Sequence, residues 1–199
     1  MSITTYAELQ TAMTSWLGHS LFVTQYPDFI TLFEASACRR LRVRRSQATT
    51  TLTPTVGVAT LPTDYLGWIR ATVMSSPRGE LLYAHPSYLQ ELVPDTISDI
   101  PTHFTIEGGS FITRSTDTTG VEFVYYQKTA AVASTLNWLF TQHPDAYLFG
   151  ALCEAEAFGV NDERSALWRS RLEATYLEIV NLEFRERGPL SIKVEGAHP

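Results

Sequence analysis

The most constraining feature of the chain is a change of hydrophobic period that happens twice. Up to about residue 46 apolar side chains recur every three or four residues. From Gln47 to about residue 130 they alternate, in runs rich in Thr, Val, Phe and Tyr. From residue 131 the three-to-four spacing returns. Strands grouped between helical ends, rather than interleaved with helices, specify an α+β protein and exclude a doubly wound parallel sheet. The expected architecture is a four-helix bundle, two helices from each end of the chain. A small antiparallel β sheet or sandwich is inserted into it, and an extended tail follows. The boundaries read as 1–46 and 131–187 for the helical parts, 47–130 for the insertion and 188–199 for the tail. Neither helix pair buries its apolar stripe alone, so the two pairs must meet.

The punctuation supports these elements. Thr4 or Thr5 caps a first helix with core positions Tyr6, Leu9, Met13, Trp16 and Leu17, and Gly18 stops it. Pro27 and Asp28 open a second helix carrying Phe29, Ile30, Phe33, Ala37 and Leu41. Strands are expected over 48–54, 56–61, 65–74, 80–83, 104–106, 111–113 and 121–128. Ser76-Pro77-Arg78-Gly79 and Gly108-Gly109 make turns, and one or two helical turns lie near Pro86–Leu92. Pro144 and Asp145 open a helix with Leu148, Ala151, Leu152, Ala155 and Phe158 inward, closed by Gly159. Asn161 caps a last helix with a stripe of Trp168, Leu172, Thr175, Ile179 and Leu182, ended by Gly188-Pro189. The repeat of Gln25-Tyr26-Pro27-Asp28 in Gln142-His143-Pro144-Asp145 is shared helix-start chemistry rather than duplication.

Composition narrows the function. The net charge of -6 argues against a general nucleic-acid binder, which would be basic over the whole domain. Cys38 and Cys153 fall in helical runs and read as buried thiols. The first ten residues carry neither a basic nor an apolar leader segment, and no apolar run approaches the length of a membrane span, so a chain made in a cytoplasm is expected. Nucleophile elbow, phosphate loop, dinucleotide fingerprint and zinc-protease motifs are all missing, and the five histidines are scattered. No enzyme activity, metal or cofactor is expected. Glu154 and Glu156 point to different helix faces, and Asp162 and Glu163 suit a helix start.

Three features point to contacts. Arg39, Arg40, Arg42, Arg44 and Arg45 put five of the fifteen Lys+Arg residues within seven positions. Like charges this close need an opposite charge nearby: carboxylates within or between subunits, solvent at a helix end, or DNA phosphate. Tyr125-Tyr126 and Asn137-Trp138-Leu139-Phe140 read as core and hinge packing, with a stacking surface as the alternative. In the tail, Leu190, Ile192 and Val194 alternate with Ser191 and Lys193. That is either a free terminus or a segment that adds to a partner's sheet edge.

Several ordered stretches resemble the phage adaptor, or head-to-tail connector, proteins of tailed bacteriophages. They run from Ile3-Thr4-Thr5-Tyr6-Ala7-Glu8-Leu9-Gln10 through Pro27-Asp28-Phe29-Ile30, Glu34-Ala35 and Arg39-Arg40-Leu41-Arg42-Val43-Arg44. They continue with Leu61-Pro62-Thr63-Asp64-Tyr65-Leu66, with Pro101 and Phe104-Thr105-Ile106-Glu107-Gly108, and with Val124-Tyr125-Tyr126 and Asn137-Trp138-Leu139. The last are Pro144-Asp145-Ala146-Tyr147-Leu148-Phe149-Gly150-Ala151-Leu152, Glu154-Ala155 and Asn161-Asp162-Glu163-Arg164. The likeness weakens over 75–100 and in the last dozen residues. It implies a structural virion subunit of the neck, assembled in host cytoplasm. Such subunits form a ring, commonly of twelve copies, beneath the portal protein. The ring continues the DNA channel without reading DNA sequence and receives tail or neck proteins. No membrane is involved. On this reading Arg39, Arg40, Arg42, Arg44 and Arg45 form a subunit or portal interface, and Leu190, Ile192, Lys193 and Val194 form a portal-docking tail. The alternatives are a tail terminator, a carbohydrate-binding tail module stacking sugars on Tyr83, Tyr125 and Trp138, and a DNA-processing enzyme using scattered acids.

Overall fold

The computed structural model describes residues 3–76, 78–93 and 98–185. The chain is α+β and divides into two compact units. One contains residues up to Arg45 and from Thr129 onward. The other contains Ser46–Lys128.

The first unit is helical. Helices α1 (Tyr6–Leu17), α2 (Tyr26–Arg40), α5 (Pro144–Phe158) and α6 (Asp162–Arg185) pack together, and a short α4 (Trp138–Gln142) lies against α5. Local chemistry sets their ends. The Thr5 hydroxyl accepts from Glu8 N–H at 3.2 Å while the Glu8 carboxylate accepts from Thr5 N–H at 3.0 Å, a reciprocal capping box. Gly18 closes α1 by donating to the Thr14 carbonyl at 3.1 Å. Asn161 accepts from Arg164 N–H at the start of α6. Helix α5 is apolar almost all round because it is the central helix, touching α1, α2, α4 and α6. Small residues make this possible. A Cβ at Gly150 would stand 1.9 Å from the Phe33 ring, so α2 and α5 approach as closely as they do only because that position is glycine.

The second unit is a sandwich. Strands β1 (Gln47–Leu52), β8 (Val121–Gln127), β3 (Tyr65–Val73) and β4 (Gly79–Glu80) form one sheet in the order β1-β8-β3-β4. Strands β2 (Val58–Thr60), β7 (Ser110–Ile112), β6 (His103–Glu107) and β5 (Leu82–Tyr83) form the other in the order β2-β7-β6-β5. Side chains from both enclose one core of Ala71, Val73, Phe104, Phe111, Val121 and Phe123. The Phe111 and Phe123 rings meet edge to face at 5.6 Å. The β6–β7 turn has Gly108 and Gly109 both at positive φ, 56° and 79°, the backbone a tight hairpin requires.

Several expectations need correction. The insertion is the sandwich alternative, with two four-stranded sheets, but it is not wholly antiparallel: β5 pairs with β6 in parallel. The reason is α3 (Pro86–Leu92), which lies between them in sequence, packs on β6 and supplies the crossover that lets the chain run twice in one direction. The four expected helices do pack together, α3 forms on the expected helical turns at Pro86–Leu92, and the short α4 is an addition. Trp16, expected inside, is 40% exposed, although its ring packs on Phe149 and Trp168. Phe158, expected inward on α5, is 57% exposed, although its ring meets Phe22 and Phe29. Leu182, expected on the buried stripe of α6, is 51% exposed, and Glu183 beside it is buried instead. The tail and the Gly188-Pro189 stop lie outside the described residues.

Candidate assembly surface

The arginine cluster takes its shape from the end of α2. Arg39 and Arg40 occupy the last turn, where the helix dipole favours cations. Beyond it Leu41 and Val43 are buried in the helical core while Arg42 and Arg44 are exposed. Two apolar anchors with one residue between them therefore turn Arg42, and Arg44 after them, outward.

Two carboxylates of α6 meet this cluster, and sequence reasoning did not single out either. The Arg40 guanidinium grips both oxygens of Glu173 and lies over the Tyr176 ring, 5.0 Å from its centroid. The hydrogen bond from Arg40 holds the Glu173 carboxyl below the usual carboxylate range, and the same bond pushes Arg40 up. Burial pushes the Tyr176 hydroxyl up, so it stays protonated. Glu183, buried despite its charge, accepts from Arg45 Nε at 3.1 Å and from Arg44 N–H at 3.2 Å. Carboxylates of the same subunit thus pair with Arg40 and Arg45, and all five arginines of the cluster are exposed. The only signal in the sequence was acidic residues ten apart on the same helix. Their arginines are well over a hundred residues away, so no local pattern reveals the pairing. Beside the Arg45–Glu183 pair opens a pocket of about 150 Å³ lined by Trp138, His143, Ile179 and Leu182.

A second polar cluster secures the segment where the chain re-enters the helical unit. Asn137 Nδ2 donates to the Ala130 carbonyl at 2.7 Å and to the Tyr147 hydroxyl at 2.6 Å. Tyr147 donates to Glu34 at 3.0 Å, and Glu34 also accepts from Val132 N–H at 2.7 Å. Asn137 Oδ1 caps α4 by accepting from Phe140 N–H. Burial, reinforced by the Glu34 charge, keeps the Tyr147 hydroxyl protonated and available as a donor. This is an anchoring network with all its donors and acceptors aimed at one another.

Several of the aromatic residues are taken up by packing within their own unit. Tyr125 is buried in the sandwich core, its hydroxyl donating to Asp64 at 3.0 Å, and burial first and Asp64 second push it up to about 12. Leu139 and Phe140 are buried in the core of the helical unit. Tyr83 stacks instead on Trp68, 5.3 Å between centroids. No group of three or more potential metal ligands occurs among the described residues, and no described helix is long and apolar enough to cross a membrane.

Residues 4–193 match the family model described as SU10 adaptor protein. The chain belongs to the SU10 adaptor protein family. The match runs through both units, so bundle and sandwich are together the family's architecture rather than a fusion of unrelated parts. An SU10 adaptor is a structural phage protein, and the resemblance read from the motifs holds at that level. No curated protein matches the sequence.

Proposed function

We propose that this SU10 adaptor works as one subunit of a ring, of twelve copies, that docks on the portal, continues the DNA channel and receives the tail. The observation that carries this reading is the family match across nearly the whole chain. The role is mechanical. The helical unit is the repeating wedge, and the sandwich presents loops to neighbours or to tail proteins. The genome passes through without sequence-specific contact, in keeping with the net charge of -6. Arg39, Arg40, Arg42, Arg44 and Arg45 meet the neighbouring subunit or portal. Leu190, Ile192, Lys193 and Val194 belong to an arm without which docking fails.

The test is the mass and symmetry of the purified chain with and without portal, by native mass spectrometry and electron microscopy. A closed ring on the portal is expected. A chain that stays monomeric beside portal overturns the reading. Arg42→Glu with Arg44→Glu should cut ring docking at least tenfold while leaving the thermal midpoint of the free subunit almost unchanged. A change in subunit stability alone would remove the arginines from the interface.

A further inference from the structure

The sandwich leaves one sheet edge open in a way the others are not. Its two sheets end on four strands: β1 of six residues, β2 of three, and β4 and β5 of two each. Short edges are poor templates for a further strand. The uncovered part of β3 is broken by two register shifts and carries Arg70, which pairs with Glu122. Bulges and charges are the usual protection of an edge. Strand β1 has neither. Its sequence Gln-Ala-Thr-Thr-Thr-Leu is free of charge and proline, its register with β8 is unbroken from Gln47 to Leu52, and among the described residues no strand covers its outer side. It offers roughly 20 Å of hydrogen-bonding backbone.

The faces flanking that edge differ. Leu52 is buried in the sandwich core, Ala48 packs against it, and Thr50 is half-buried on the same side. Thr49 and Thr51 are exposed on the other. A strand added here must alternate apolar and polar residues, with no acidic group to desolvate. The chain contains such a stretch that no described element uses: Leu190-Ser191-Ile192-Lys193-Val194, five residues long. We propose that the β1 edge receives this arm from a second copy of the chain, with Leu190, Ile192 and Val194 on the Ala48–Leu52 side and Ser191 and Lys193 beside Thr49 and Thr51. Arm and edge are different surfaces, so the contact is head-to-tail, the kind that generates rings. The inference rests on the ring reading and deepens it: the arm is needed for portal docking because it closes the ring that docks.

Thr50 and Ile192 are the middle residues of Ala48–Leu52 and Leu190–Val194, so with these stretches aligned they face each other whichever way the strands run. Chains carrying only Thr50→Cys are mixed with chains carrying only Ile192→Cys and assembled with portal under mild oxidation. Disulfide-linked dimers are expected from the mixture and from neither variant alone. In parallel, Thr49→Lys with Thr51→Lys sets two cations beside Lys193 and should lower the ring yield at least tenfold, and Lys193→Glu in the same chain should restore it. Several outcomes overturn the proposal. These are intact rings without the cross-link, cross-links from Ile192→Cys to portal only, or a normal ring yield from the double lysine variant. Absence of rings from the unaltered chain would instead overturn the ring reading, and this one with it.

Discussion

The helical unit and the sandwich solve the same burial problem with opposite consequences at the surface. The helices satisfy their backbone internally, and the unit also closes its charges on itself: Arg40 on Glu173, Arg45 on Glu183, and Arg164 on the buried Glu156. The sandwich cannot close itself in this way. A sheet that is not a barrel ends somewhere, and here one end is a six-residue neutral strand. Helical packing therefore leaves no backbone edge, whereas the sheet leaves hydrogen-bonding capacity over along β1.

Core substitutions test that comparison most severely. Phe111 is fully buried, stacked on Phe104 at 5.0 Å and against Phe123. Phe111→Ala should cost the sandwich about 3–5 kcal/mol in chemical denaturation. In the helical unit, Gly150→Ala pushes a methyl into Phe33, and overpacking of this kind costs about 1–3 kcal/mol. A neutral Gly150→Ala would mean that α2 and α5 separate easily, and the helical unit would lose its claim to be the closed half.

Next in size is the network behind the α4 cap. Asn137→Ala removes the donor to Tyr147 and Ala130 and the acceptor for Phe140 N–H, all in a buried setting. Leaving such groups without partners costs about 1–3 kcal/mol. Hydrogen exchange should show faster opening of Thr129–Gln142 before the rest of the helical unit. Uniform destabilisation would show instead that this segment is not a separate clamp.

Local signals made much of the fold legible. The Thr5–Glu8 box, Gly18, the Gly108-Gly109 turn and the Asn161 cap each act within four residues, so their chemistry is written beside them. The strand pattern was equally readable, since alternation shows in any run that buries one face. What stayed hidden depends on distant parts of the chain. Whether β5 runs parallel to β6 is decided by how α3 packs, not by either strand's composition. Helix α4 is too short to display a period. Leu182 and Glu183 exchange their expected burial because Glu183 finds Arg45 and the Arg44 amide. The arginine cluster was visible as an anomaly of charge, but its partners lie on the opposite end of the chain.

The smallest effect bears on those partners. Glu173 is exposed to about the same degree as Arg40, so Glu173→Gln should cost only ~0.2–1 kcal/mol, less in high salt. Glu183→Gln should cost more, because a buried carboxylate serves two donors. The pH dependence carries a sign. The Glu173 carboxyl is held below its ordinary value of 4.5, so its contribution is complete above that pH and disappears as pH falls through the lower folded value. Denaturation of wild type and Glu173→Gln should therefore differ at pH 6 and draw together as pH falls below the ordinary value of 4.5. Curves that stay equally separated as pH falls would show that Glu173 acts through packing on Tyr176 and not through the charge of Arg40, and the helical unit would then close on itself by fewer charges than its geometry implies.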